Sequence, residues 1–395
     1  VNQEFDIIIL GGGLVGLTAA SLCAQYGFSV ALVERQEPSL IWDKNQFDIR
    51  CSAISKASQN IFQKIGVWES MVEDRVSAYQ YMHVWDALGF GEISFDAADV
   101  GEANLGHIIE NRVMIRALWE KAKQNTNITF FVPEKAVDVQ IEPEYALLTL
   151  SDQNKIKTKL IVGADGGHSW LRKFLNIESN QQDYHQSAIV ATVSTQLSHQ
   201  QTAWQRFLPE GPLAFLPLNS DKANSSSIVW TSSTEKTKAL MALPPEKFCE
   251  ALAHAFEYRL GAVLSTSERR NFSLTKLHAK RYIADRVALI GDAIHVIHPL
   301  AGQGVNLGLG DAKKLSDTLL LANKKTNDIG NHLVLRKYER ARKGKILATL
   351  VAMDVFNKAF TYADTLSLGL RSIGLNIVDK TAFLKKKMML QAMGS

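Results

Sequence analysis

Apolar positions along this chain follow two rhythms, and the switches between them mark out its elements. Phe5-Asp-Ile-Ile-Ile-Leu10, Leu160-Ile-Val162 and Val287-Ala-Leu-Ile290 are short, almost continuous apolar runs, the pattern of strands covered on both faces. Each runs into glycines and then into a helical period: Leu17 to Tyr26, the segment after Ser169, and Gln303 to Ala322. Further strands are predicted at Ser29–Val33, Ile128–Val132, Ala136–Ile141 and Ala146–Leu150, with helices after Ala53 and over Arg112–Ala122. Residues 187–275 change character. Ala188–Ser194, Ala203–Phe207, Leu213–Leu218, Ser227–Ser232 and Arg270–Leu274 read as strands of a sheet with one wet and one covered face, around a helix near Glu246–Arg259. Tyr81–Trp85 and Ile93–Phe95 alternate in the same way, and Phe215, Pro217 and Trp230 are core candidates. The end is helical: Val334–Phe360, then Leu366, Leu370, Ile373 and Ile377 on one stripe.

Composition narrows the picture. The length of 395 residues allows about two to three domains, and 46% hydrophobic with 21% charged residues is ordinary for a globular protein. A net charge of +4 does not indicate nucleic-acid binding. The three cysteines, Cys23, Cys51 and Cys249, are far apart and form no CxxC pair, which argues against a disulfide framework or zinc site and for a reducing compartment. No basic-then-apolar leader is visible and no apolar run reaches the roughly 20 residues of a bilayer span, so the expected location is cytoplasmic, with a peripheral membrane role open.

Chemistry enters where the apolar runs end. Gly11-Gly-Gly13-Leu-Val-Gly16 has the spacing in which one glycine makes a tight turn, the next admits a pyrophosphate and the third allows close helix packing. Glu34 ends the following strand, about 20 residues on, where a carboxylate binds adenosine ribose hydroxyls. On these residues alone the ligand is NAD or FAD. The other two runs end in Gly163-Ala-Asp165-Gly166 and Gly291-Asp292. Three such turns exceed what one nicotinamide fold explains and point to one large ligand touched from several segments. The helix predicted from Gln303, after Gly302, offers N–H groups and a positive dipole end to an anionic or electron-rich ligand. Arg50, at a loop end, suits a phosphate or a ring edge, though such arginines are more often structural. Arg112 is oddly placed at a helix start unless an anion lies opposite. His295 and His298 have i, i+3 spacing but lack a third ligand, so no metal is expected. Phe383-Leu-Lys385-Lys386-Lys387-Met-Met-Leu390-Gln-Ala-Met393 suits a membrane surface or a partner as well as a packed helix.

These motifs, in this order, resemble those of the class A flavoprotein monooxygenases, and within them the ubiquinone-biosynthesis hydroxylases. The most specific run is Gly291-Asp292-Ala-Ile-His295 continuing through His298-Pro299-Leu-Ala-Gly302-Gln303-Gly304-Val-Asn306-Leu-Gly308. Ile294 and Gly310 depart from the family pattern. The resemblance implies an α/β fold: an FAD-binding Rossmann-like domain of glutathione-reductase type (1–78, 107–182 and 276–325), an inserted β-rich substrate domain (79–106 and 183–275) and a helical C-terminal region (326–395). It implies FAD bound extended, with Gly11, Gly13 and Gly16 on the pyrophosphate, Glu34 on the adenosine ribose, Arg112 near the phosphates and Val137 near the adenine. Asp292, after Gly291, would hold the ribityl chain, and Arg35 and Arg50 complete the cofactor set. The backbone from Pro299 to Asn306, through Gly302, Gln303, Gly304 and Val305, would face the isoalloxazine as the catalytic surface, with no acid or base side chain assigned. Asp165 and Arg172 would serve both FAD and a visiting NADPH or NADH. The implied reaction is hydroxylation by O2 of a polyprenylated phenol through a flavin C4a-hydroperoxide, with a membrane surface or other ubiquinone-biosynthesis proteins as partners of the C-terminus. A flavin-dependent isoprenoid reductase and a non-catalytic flavin-bearing subunit are the alternatives.

Overall fold

The computed structural model describes residues 3–89, 91–297, 303–326, 328–361 and 381–394. Their strands form three sheets. The first is built on Gln3–Leu10, whose Ile7, Ile8 and Ile9 are fully buried, as a continuous apolar run requires. It pairs in parallel with Val30–Val33 on one side and with Lys155–Gly163 on the other. Ile128–Phe131 and Val287–Leu289 extend the parallel set outward, while Ala146–Leu150 and Ala136–Ile141 add an antiparallel flap. The helix Leu14–Gln25 has ten buried residues and scarcely a polar face, because it is wedged between the helices Asn111–Lys123 and Gln303–Asn323. Its small residues Ala19, Ala20 and Ser21 make that close packing possible.

The second sheet has nine strands and a long spine, Ser179–Thr195, flanked by Ser225–Ser233 and Arg270–Ala279. Gly211–Pro217, Thr202–Leu208, Tyr81–Asp86 and Glu92–Asp96 follow in order, and Val263–Thr266 pairs with the end of the spine. Phe215 and Trp230 pack with Ile189, Leu213 and Ile228 against Phe248 and Leu252 of the helix Pro245–Ala255, and Pro217 is buried. A small third sheet, Cys51–Ile54, Gly106–Glu110 and Val76–Tyr79, lies between the other two. Its Ser77 hydroxyl accepts a hydrogen bond from the Asn219 N–H, and its Cys51 thiol meets Ser227.

The structure differs from the sequence expectations at several joins. The first helix starts at Leu14, directly after Gly13, instead of Leu17. The spine starts at Ser179 and Arg270–Ala279 runs past 275, so the expected boundaries at 182/183 and 275/276 fall inside continuous strands. A helix, Thr234–Ala242, and the strand Val263–Thr266 carried too weak an apolar rhythm to be predicted. His295–Val296 pairs with Leu277 and His278 of the second sheet, so the chain crosses from one sheet to the other between Leu289 and His295. Helices His332–Thr361 and Ala382–Met393 form the described C-terminus, and the Leu366–Ile377 stripe lies outside the described residues. No described helix is long and apolar enough to cross a membrane.

Candidate cofactor and active site

Strand register brings the three glycine turns to one level. Leu10 pairs with Val33 and Gly163, and Gly163 pairs with Leu289, so the carboxyl ends of neighbouring parallel strands lie side by side. That edge is where open α/β sheets bind their ligands. The turns also touch. Gly11 has φ +106°, and a Cβ there would come 2.4 Å from the Ala164 carbonyl oxygen; one on Gly16 would come 1.9 Å from the Gly11 oxygen. Gly291, with φ +63°, packs on Val15, and a Cβ on Gly308 would meet the same valine at 2.6 Å. Only glycine lets these segments close on one another. Two glycines are different in kind: a Cβ on Gly13 would meet nothing within 4 Å, and one on Gly304 only Ile297 at 3.9 Å. Gly13 caps the helix Leu14–Gln25 without any side-chain hydrogen bond, leaving backbone N–H groups at an open helix start.

The acidic and basic residues divide between the cleft and its supports. Glu34 accepts from the Gly12 N–H at 2.6 Å and from the Arg35 and Gln36 N–H groups at 2.7 and 3.2 Å, so the carboxylate is fixed beside the first turn while the Arg35 side chain stays exposed. The Glu34 carbonyl accepts from the Glu134 N–H, which brings the partly exposed Val137 to the same end. Asp165 accepts from the Leu171 N–H through Oδ2; its buried Oδ1 has no hydrogen-bond partner among the described residues. Arg172 is 2% exposed and donates to the carbonyls of Ala293 and Gly167, both at 2.7 Å. It therefore ties the second turn to the third. Arg112, expected near phosphates, instead donates to the buried Glu110 at 3.0 Å and to the Gln46 carbonyl, with Trp42 stacked against its guanidinium. The same Glu110 carboxylate also pairs with Arg75.

At the third turn, Arg50 lies 4.9 Å from the Phe272 ring of the second sheet. Asp292 is open to the cleft on one side; crowding by protein on the others raises its carboxyl above the usual range, against the pull of His295 and Arg50. Asn306 accepts from the Ser55 N–H at 3.0 Å and the Ser58 hydroxyl at 2.8 Å and donates to the Ala53 carbonyl at 2.8 Å, fastening the helix Gln303–Asn323 to the small sheet. Val305 packs against the core. Gln303 is described by its backbone alone, and His298, Pro299 and Gly302 lie outside the described residues.

Sequence reasoning missed the residues behind this turn. Asp311, fully buried, accepts from the Gly291 N–H at 3.0 Å, His295 Nε2 at 2.7 Å and Arg342 Nε at 2.5 Å. Burial acts to raise its carboxyl, but His295 and Arg342 outweigh that and hold it below the usual range. The signal was present: Asp311 stands on the same helical stripe as Gly308 and Leu315, where an acid has no reason to be unless it is paired. Elsewhere, a hollow of about 410 Å³ between the helix Pro245–Ala255 and the strand Val263–Thr266 includes none of these residues. Among the described residues no group of three or more His, Cys, Asp or Glu could hold a metal.

The geometry fits an extended dinucleotide: open glycines at both ends, an uncapped helix start and a buried acceptor awaiting a donor in Asp165. Comparison with known proteins agrees. The FAD binding domain family matches residues 4–349. Over the whole chain, 33% of residues are identical to the 3-demethoxyubiquinol 3-hydroxylase of Escherichia coli (strain K12), covering 99% of that protein, and 34% to the ubiquinone hydroxylase UbiL of Rhodospirillum rubrum, covering 90% of it. The human mitochondrial ubiquinone biosynthesis monooxygenase COQ6 is 31% identical over 98% of this chain and 92% of its own. Two solved structures share the fold: the probable FAD-dependent monooxygenase pqsL of Pseudomonas aeruginosa (TM-score 0.78, 22% identity, 95% of this chain and 100% of that one) and p-nitrophenol 4-monooxygenase PnpA of Pseudomonas putida DLL-E4 (TM-score 0.79, 15% identity, 100% and 99%). With the family matched over most of its length and near-complete relatives above 30% identity, the chain belongs to the FAD-dependent class A monooxygenases, in the ubiquinone-biosynthesis group.

Proposed function

We propose that this enzyme hydroxylates the ring of a polyprenylated phenol on the way to ubiquinone, with NADPH or NADH and O2 as co-substrates. The observation that carries the reading is the junction of three glycine turns at one sheet edge, directly against a second sheet. Bound FAD would supply the redox and oxygen chemistry. Gly11, Gly13 and Gly16 would hold its pyrophosphate, Glu34 its ribose and Asp292 its ribityl chain. The helix start near Gly304 would favour negative charge on the ring. The nine-stranded sheet, reaching the site through Phe272 and His278, would keep bulk water from the reacting centre. The full-length likeness to proteins named for ubiquinone hydroxylation supports the phenol class.

The C-terminal helix supports the membrane or partner side of the reading in a modified form. Met389 and Met393 are buried against Ala97 and Leu105, and Lys385 pairs with Asp99 at 3.4 Å, so part of the segment is a docked helix. Phe383, Lys386, Lys387 and Met388 face outward. The test of function is direct. Purified protein given NAD(P)H should consume O2 faster with a short-chain prenylphenol than without, and mass spectrometry should find one added oxygen atom in the product. Reduction of a prenyl double bond, or NAD(P)H oxidation indifferent to the phenol and without oxygenated product, would sink the proposal.

A further inference from the structure

We propose that Asp311 is the positioning residue of the flavin-facing turn, acting through Gly291 and His295, with Arg342 holding it in place; this rests on the FAD reading above. One carboxylate grips both ends of the segment that carries Asp292: Oδ2 takes the Gly291 N–H and His295 Nε2, while Oδ1 takes Arg342 Nε. Arg342 also donates to the Leu307 carbonyl at 3.0 Å, so the same guanidinium fixes the helix from which Asp311 projects. An ionised carboxylate only accepts hydrogen bonds, so the proton lies on Nε2 of His295. The other ring nitrogen, Nδ1, is buried and has no hydrogen-bond partner among the described residues.

A fold that needed only to fill this space would do so as well with apolar side chains, since buried ion pairs contribute little net stability over well-packed hydrophobic ones. A fully buried acid with a matched arginine, and a histidine left half satisfied, instead indicates that the direction of the turn is what matters. The arrangement also joins three parts of the molecule. His295 pairs with His278 in the second sheet, and Arg342 lies on the helix His332–Thr361, whose Asp354 meets Lys276 and Tyr184 of that sheet. The orientation of Asp292 is thus set from the helix His332–Thr361 as well as from the strands and turns of the cleft.

The experiment measures FAD affinity, the midpoint potential of the bound flavin and its visible circular dichroism, in the wild type and in Asp311→Asn, Arg342→Met, Arg342→Lys and His295→Phe. Asp311→Asn should weaken FAD binding by about tenfold or more and shift the potential and the spectrum, by analogy with the loss of groups that orient metal ligands. Arg342→Met should act in the same direction, and Arg342→Lys should restore most of the loss. His295→Phe leaves the Asp311–Arg342 pair intact and reports if Asp311→Asn does not fold. Folded variants that bind FAD within about twofold of wild type, with unchanged spectrum and potential, would overturn the proposal. So would unfolding of every variant, because the residues would then serve the fold alone. A wild type that takes up no FAD would instead overturn the flavin reading itself.

Discussion

On the proposed reading of the site, the two ends of the cofactor cleft, one for the pyrophosphate and one for the ring, are built on different plans. The pyrophosphate end is local: one strand, three glycines and one helix within residues 3–25, closed by Glu34 onto the Gly12 amide. The ring end is assembled from afar. Its turn at Gly291 is gripped by Asp311 and Arg342, its helix start by Ser55 and Ser58, and its outer face by the second sheet. At the first end steric fit sets the shape; at the second, polar contacts between distant segments do. A change at the first should therefore act all or none, and a change at the second by degrees.

The sharpest test of that contrast is Gly16→Ala. Its Cβ would lie 1.9 Å from a backbone oxygen that cannot turn aside, so the strand–helix junction must open. Overpacking typically costs about 1–3 kcal/mol, and a clash with rigid backbone belongs at the upper end. The expected result is protein purified without flavin absorbance and with a lowered melting temperature. Gly13→Ala, only three residues away in sequence, should fold normally because its Cβ meets nothing within 4 Å. Full flavin content in Gly16→Ala would show that the local end is more plastic than its geometry requires.

The same difference decides what could be read without coordinates. The strand Phe5–Leu10, the glycines and Glu34 were legible because spacing along the chain is spacing in space there. The parallel strands ending at Gly163 and Leu289 were legible for the same reason. The protein partners of Arg112 and Arg172 were not: an arginine two residues from Glu110 could as well have faced a ligand, and the Ala293 carbonyl that Arg172 meets is 121 residues away. Asp311 and Arg342 are 31 residues apart on separate helices, and no periodicity links them. The full length of Ser179–Thr195 was not legible because its first half is polar and exposed and only the second half carries the apolar rhythm of a strand.

Acid should loosen the ring end first. His107, in the small sheet whose Ala53 anchors Asn306, is buried edge-on against Trp68, and burial with the nearby Lys56 charge lowers it from 6.5 to about 4. The folded chain therefore resists protonation that the unfolded chain accepts below 6.5. Its contribution is fully present above that value and is lost as pH falls towards 4, by about 3 kcal/mol over the whole window. Melting temperatures measured from pH 7 to 4 should fall less steeply in His107→Gln than in wild type. Parallel curves would mean that the imidazole is not held neutral.

A smaller, electrostatic effect is expected at Gly304. Space is available there, since the nearest atom to a Cβ is 3.9 Å away, so Gly304→Ala should retain FAD and fold. Gly304→Glu adds a charge at a helix start that otherwise favours anions. If the flavin ring lies against this turn, the reduced form should be disfavoured and the two-electron potential should drop, by on the order of 30 mV for each ~1.4 kcal/mol of repulsion. Equal potentials in the alanine and glutamate variants, with normal coupled hydroxylation, would place the ring elsewhere and remove the basis for calling this the ring end.

The least effect on either end should come from the C-terminal helix, which makes it the control for both. Deleting it from Phe383 would uncover Ala97 and Leu105, because Met389 and Met393 cover them, so a truncation would confuse membrane contact with loss of core. Surface changes avoid this. Phe383 is 75% exposed, and Lys386 and Lys387 point outward with Met388. Each lysine near an anionic bilayer contributes about 1 kcal/mol, so Lys386→Glu with Lys387→Glu should reduce co-sedimentation with anionic vesicles more than tenfold at low salt, roughly as 2 kcal/mol requires. Phe383→Ser should add to the loss without touching the Met389 side. FAD content, flavin potential and melting temperature should all stay at wild-type values. Unchanged sedimentation would assign the outward face to solvent or to a protein partner, and a shift in flavin potential would mean that the ring end extends, through the packing of this helix, further than its hydrogen bonds indicate.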